Sequence, residues 1–294
     1  MIYSICHITQ YSYETGATSA KLALHLTPQT GYGQNCLSHN VFIDPNPQNV
    51  TTRLDFFGNV LTLATIEYPS ATLRIEARSR LQVSRQKLKS HIGSPAWADV
   101  AKAALLSRGI GPDAPAHFMF QSRLIRLHPE VTAYAAASFL VGQPIVEGVR
   151  DLARRIKQDF AYQSGSTTSE TTLEQAFYQR RGVCQDFSHI MIAGLRGLGI
   201  PASYVSGYLR TLPPLGAPRI VGADASHAWV GVWCGTEIGW FDIDPTNACD
   251  VGNDHVVLAR GRDFSDVSPI YGVFVGSGTH GLSVSVDVAP EAEQ

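Results

Sequence analysis

The stretch Arg181-Gly182-Val183-Cys184-Gln185-Asp186-Phe187-Ser188-His189 decides the fold. A glycine and a thiol stand just ahead of a run in which Phe187, Ile190, Met191, Gly194, Leu195 and Leu198 recur at helical spacing. Gly199 is placed to end that helix, and Pro201 blocks its continuation. The thiol therefore opens a helix, where N–H groups without intrahelical acceptors favour negative charge. A free thiol with a pKa of about 8.5 is only a few per cent thiolate at neutral pH, so this placement matters for nucleophilicity. Gly182 lets the backbone come in tightly ahead of the sulfur. The N–H groups of Cys184 and Gln185 point to where an oxyanion forms in acyl transfer.

Downstream come Ser226-His227-Ala228-Trp229 and Trp240-Phe241-Asp242-Ile243-Asp244-Pro245. Both read as strands, so His227, Trp229, Gly231 and Trp233 share one face, and Trp240, Asp242 and Asp244 share another. A symmetric hairpin centred on Thr236-Glu237 pairs Trp233 with Trp240, Gly231 with Asp242 and Trp229 with Asp244. Asp244 then lies diagonal to His227, about 7–8 Å away at the backbone. Asp242 falls one pair further off, so Asp244 is the expected imidazole partner. Thiol, imidazole and carboxylate in this order are the parts of a cysteine nucleophile system. Singly, each also reads as a core thiol, a strand residue or a turn carboxylate. The three spacings together favour the chemical reading.

The bulk composition fits an enzyme of this kind. The chain has 294 residues, 44% hydrophobic and 16% charged, ample for a packed core. Its 23 Lys and Arg against 25 Asp and Glu give a net charge of −2, which argues for neither nucleic acid nor an anionic membrane surface. No signal peptide or apolar run of spanning length is evident. The five cysteines, Cys6, Cys36, Cys184, Cys234 and Cys249, form no CxxC pair. Reduced thiols and a cytoplasmic protein are the expectation.

Residues 1–86 read as a β domain: apolar alternation at Leu22, Leu24 and Leu26, at 59–66 and at 73–77 is broken by Asp44-Pro45-Asn46-Pro47 and Phe57-Gly58-Asn59. Residues 87–294 read as the catalytic core. It has a helical lead-in, a helix opened by Pro129, another begun at Pro144, the Cys184 helix, and strands near 202–209, 225–233 and 239–244. Strands beyond Asp254 are assigned to the same core. Helices and strands are segregated, so the class is α+β. Residues 211–222, rich in proline and glycine, read as an exposed loop able to gate the cleft. Asp250, Asp254 and His255 read as a solvated loop rather than a metal site.

With these blocks in view, the resemblance is specific. Arg181 to His189, Ser226 to Val230, and Gly239 to Asn247 resemble the core of the transglutaminase-like superfamily, which is related in architecture to papain-like thiol proteases. The resemblance implies a catalytic triad of Cys184, His227 and Asp244, with the aspartate directly ahead of Pro245-Thr246. Residues 1–84, whose strand spacing suggests a β-sandwich-like domain or an open barrel, also resemble the N-terminal β domain of the bacterial group, and the stretch 259–269 fits that group as well. The implied activity is acyl transfer at a peptide or side-chain amide through a thioester. Protease or amidase is the leading form, and transamidation or peptide binding without catalysis the alternatives. No cofactor or metal is implied, and a peptide or protein is the partner. For the oxyanion and substrate region, Tyr162 is expected as donor or as packed aromatic, and Trp229 as cleft wall or structural indole. Gln185 and Asp186 are expected as border residues or as parts of the first helical turn. His189 is expected to pack.

Overall fold

The computed structural model describes residues 1–85, 93–167, 171–211 and 224–291. Most of the proposed gating loop, residues 212–222, lies outside them, as does the expected domain boundary at 86/87. The N-terminal unit begins with β1 (Ile2–Leu24), β2 (Gln34–Asp44), β3 (Asn49–Leu54), β4 (Val60–Ile66) and β5 (Ser70–Val83). Five of its residues over the first half of β1 show the pattern well: Tyr3, Ile5, His7, Thr9 and Tyr13 are buried between more exposed neighbours. Period-two burial of this kind is what makes a strand of this segment. Midway, β1 changes partners. Residues 2–12 pair with β5, and 20–24 with β4. A register shift between Ser12 and Ala17 marks the bend. The sheet thereby folds over a core of Tyr13, Leu22, Leu24, Ile66, Leu73 and Ile75, which gives the sandwich-like form.

The middle of the chain supplies helices. These are α1 (Trp97–Leu106), α2 (Pro129–Ala136) and α3 (Ile145–Asp159), then the two-residue β6 (Ala161–Tyr162), α4 (Leu173–Gln179) and β7 (Arg181–Gly182). Next comes α5 (Cys184–Gly197), followed by β8 (Ala202–Leu209), β9 (Ala225–Trp233), β10 (Trp240–Asp244), β11 (Cys249–Asp250) and β12 (His255–Gly261). The five strands form an antiparallel sheet in the order β11-β10-β9-β8-β12. Phe187, Ile190, Met191 and Leu195 of α5 pack against Tyr204, Ala228, Val230 and Val232 of the sheet. Each such side chain contributes roughly 1.5–3 kcal/mol by burial. The sequence reading gave α5 one apolar face; in the fold Ile192, Ala193, Ser188 and Arg196 are buried too, because α2 covers the other side. Helix α5 is the central pillar of the core.

The short α6 (Phe264–Val267) leads to β13 (Ile270–Gly276) and β14 (His280–Pro290). Here the fold departs from the expected division of the chain. Both strands pair with β1 in the N-terminal sheet, β13 along residues 17–24 and β14 along 3–13. Their alternation marks a strand without naming its partner. A shared apolar cluster of Tyr3, Ile5, Leu81, Val83, Tyr208, Val256 and Val286 joins the two units. Two side-chain amides finish the joint. Gln34 brackets Val257, accepting from its N–H at 2.8 Å and donating to its carbonyl at 2.8 Å. Asn59 does the same for Arg260 at 2.8 and 2.9 Å. The N-terminal unit therefore holds the outer edge of β12 in place. Among the described residues no helix is long and apolar enough to cross a membrane.

Candidate active site

Cys184 is the first residue of α5 and is half-buried. The turn ahead of it is shaped by Asp186, whose carboxylate reaches back to accept from the Val183 N–H at 2.8 Å and from the Thr167 hydroxyl at 2.8 Å. That fold-back explains Gly182: a Cβ there would lie 2.6 Å from the Asp186 carboxylate. The pair β6 and β7 runs in parallel with Tyr162 opposite Gly182, which sets the tyrosine beside the thiol turn. Burial first, and then the neighbouring Cys184 sulfur, raise the Tyr162 hydroxyl above its ordinary pKa.

The hairpin of β9 and β10 has the register expected from its turn, with Trp240 opposite Trp233, Asp242 opposite Gly231 and Ile243 opposite Val230. This carries Asp244 to His227, whose Nε2 lies 2.8 Å from the carboxylate Oδ2. Asp244 is fully buried. Its Oδ2 also accepts from Asn247 Nδ2 at 2.7 Å, and its Oδ1 from the N–H groups of Thr246 at 2.9 Å and Asn247 at 3.1 Å. Burial works to raise this carboxyl; the hydrogen bonds from His227, His255 and Asn247 outweigh it and hold it below the usual range. Burial likewise works to lower the His227 imidazole. Its hydrogen bonds and charge contacts with Asp244 and Cys184 prevail and raise it to about 10. Since Nε2 faces Asp244, Nδ1 is the nitrogen left for the sulfur. Cys184, His227 and Asp244 therefore line up as a chain, with Asp244 hydrogen-bonded to His227 and the sulfur near enough to raise the same imidazole.

At Trp229 and Asp186 the structural one of the two expected roles holds, and His189 packs as expected. Trp229 has 0% exposure, so it does not line an open cleft. Its ring instead lies against His227 (6.2 Å between centroids) and edge-on to His255 (5.3 Å). Its Nε1 donates to Asp242 at 3.3 Å. Asp186 is engaged in the turn and is not free to bind substrate. Gln185 lines a hollow of about 160 Å³ with Arg123, Glu174 and His189, a hollow that Cys184 does not border. Only its backbone N–H remains a candidate at the sulfur. His189 packs on Tyr204 (5.2 Å between centroids) and its Nε2 accepts from the Phe264 N–H.

His255 is the residue that sequence reasoning missed. Read as part of a solvated loop, it is buried at the start of β12, and its Nε2 lies 3.2 Å from Asp244 Oδ2. Its loop neighbours are also engaged, Asp250 with Arg150 and Asp254 with Arg210 and Tyr3. One nitrogen from each of His227 and His255 and one Asp244 oxygen lie within 4.8 Å of one another. The carboxylate at their centre is already closed by five N–H donors, so hydrogen bonding is what this grouping serves. A larger hollow of about 500 Å³, between Tyr32, Arg85 and Trp240, sits at the other end of β10.

Residues 134–245, which hold all three members of the chain, match the transglutaminase-like superfamily. Residues 3–82 match the bacterial transglutaminase-like N-terminal region. An uncharacterized protein of Mycobacterium tuberculosis is 39% identical over 299 residues, spanning 98% of this chain and 92% of its own. This chain belongs to the transglutaminase-like superfamily. A second such relative, from Mycobacterium leprae, is 30% identical over 290 residues and covers 97% of both chains. The solved structure of a candidate cysteine protease from Cytophaga hutchinsonii superposes with a TM-score of 0.75 over 100% of this chain and 92% of its own. At 20% identity that likeness carries the transglutaminase-like fold and no more.

Proposed function

We propose that this transglutaminase-like protein is a cysteine-dependent acyl-transfer enzyme acting on peptide or side-chain amides. The observation that carries the reading is the chain from Asp244 through His227 to a half-buried sulfur at a helix N-terminus. Cys184 Sγ gives its proton to His227 and attacks the carbonyl carbon; the new C–S bond sends the π pair onto oxygen. The N–H groups of the first turn of α5 face that oxygen, with Tyr162 as the side-chain donor. Collapse breaks the C–N bond, and the leaving amine takes the proton from His227. Water then attacks the thioester, with His227 as base, and the thiol is regenerated. Asp244 keeps the imidazole in one tautomer throughout. Tyr162, beside the sulfur, is 59% exposed, so water reaches the thioester and hydrolysis is assigned as its main fate.

The test is mass spectrometry of the protein with iodoacetamide and with a panel of peptide amides, with and without an added primary amine. Selective labelling of Cys184 at neutral pH, acyl adducts on the same residue, and loss of both in Cys184→Ala support the reading. Transfer of the acyl group to the amine in preference to water would replace hydrolysis by transamidation. Equal labelling of all exposed thiols, with no adduct and no turnover, would sink the proposal.

A further inference from the structure

The hydrogen-bond partners of His255 assign its tautomer. The Gly252 N–H points at its Nδ1 at 3.4 Å. A backbone N–H only donates, so Nδ1 is bare and the ring hydrogen sits on Nε2. That hydrogen is directed at Asp244 Oδ2, 3.2 Å away. The same oxygen receives the His227 Nε2 hydrogen at 2.8 Å. Two imidazoles thus share one carboxylate oxygen in a fully buried setting. The ring is further held by the Trp229 indole and by β12, whose edge is pinned through Gln34 and Asn59.

We infer that His255 is a positioning residue for the proposed triad, a second imidazole that draws charge from Asp244 and so sets how tightly His227 keeps its proton. The inference rests on the functional reading above. A carboxylate with one fewer donor is a stronger base toward its remaining partners, so losing the His255 bond makes His227 a weaker acid. The leaving amine needs that proton, so turnover falls even though substrate binding is unaffected. Among the described residues, the ionisable groups facing Asp244 are His227 from β9, His255 from β12 and Cys249 from β11. Lys157 from α3 bonds the Thr246 carbonyl nearby at 2.9 Å. Beyond His227 lie Cys184 from α5 and Tyr162 from β6. Among these, His255 alone meets Oδ2 with a hydrogen fixed by a backbone donor.

The experiment follows the His227 imidazole by NMR titration in the full-length protein, with histidine-selective labelling, in the parent, His255→Leu and His255→Gln. Cys184 alkylation is measured on the same samples. The leucine variant is expected to hold the His227 proton about tenfold more tightly, a rise of about one pH unit in its titration. Glutamine, which restores an N–H donor, is expected to return it close to the parent. Circular dichroism and urea unfolding establish that each variant is folded. A folded leucine variant with an unchanged His227 titration overturns the inference, as does a glutamine variant shifted as far as leucine. Should leucine fail to fold, the glutamine variant still decides: a His227 titration away from the parent's overturns the inference. Failure of the functional reading shows separately, as a parent protein whose Cys184 is not selectively alkylated.

Discussion

The middle and the end of β10 carry chemically alike residues in different company. Asp242 and Asp244 are two positions apart on one strand, and each engages side chains from β9 and β12. Asp242 receives two bonds from Arg260 Nη2 of β12, at 2.9 and 2.8 Å, and one from the Trp229 indole of β9 at 3.3 Å. Asp244 receives His255 from β12 and His227 from β9. A guanidinium does not give up its proton under any ordinary condition, whereas an imidazole exchanges one near neutrality. The first arrangement is a brace, and under the proposed function the second handles a proton. Identical strand positions acquire different chemistry from the cation that the neighbouring strand supplies.

The sharpest way to break this comparison is to make the same change at both positions. Asp244→Asn is expected to lower turnover by roughly 10³–10⁴-fold, because the amide no longer fixes the imidazole tautomer. Asp242→Asn in folded protein is expected to leave turnover within a few-fold. Steady-state kinetics on a peptide amide found in the adduct screen decides it. Equal losses at both positions would show that the two carboxylates are one mechanical unit.

Stability should show the opposite ranking. Arg260 is 4% exposed, so Asp242→Ala leaves a buried charge unpaired and is expected to destabilise the fold by about 3–5 kcal/mol. Gly231→Ala attacks the same brace from β9, since its Cβ would stand 1.9 Å from Arg260 NH1 and 2.6 Å from Ser203 Oγ. Urea unfolding measures both. An alanine at 231 with parent-like stability would mean that the brace does not hold the sheet together.

A smaller effect concerns acid. Asp244 has a folded-state pKa below its unfolded value of about 3.9, so its contribution to stability is complete above that value and is lost as pH falls toward the folded pKa. The stability difference between parent and Asp244→Asn is expected to shrink below about pH 4, by at most about 1.4 kcal/mol per pH unit. Unfolding at several pH values between neutrality and acid measures it. A constant difference across that range would remove the assignment of Asp244 as a stabilised carboxylate.

Much of the Cys184, His227 and Asp244 grouping was legible because each member is announced locally. A helix start is marked by the residues around Cys184, and a hairpin turn fixes which side chains of β9 and β10 oppose each other. The direction in which Asp186 folds was not legible, since Val183 and Thr167 become its partners only once the turn is formed. Trp229 carries no sign in its own strand that it will be sealed; the packing of β8 and β12 over it decides that.

By itself the sequence determined the α+β class, the thiol at a helix start and the preference for Asp244 over Asp242, because helical spacing and strand alternation are short-range properties of the chain. Only the tertiary structure decided that His255 would meet Asp244 and that β13 and β14 would return to β1. Those contacts join residues far apart along the backbone. Alternation specifies which face of a strand is buried, and it is silent on which distant strand will lie beside it.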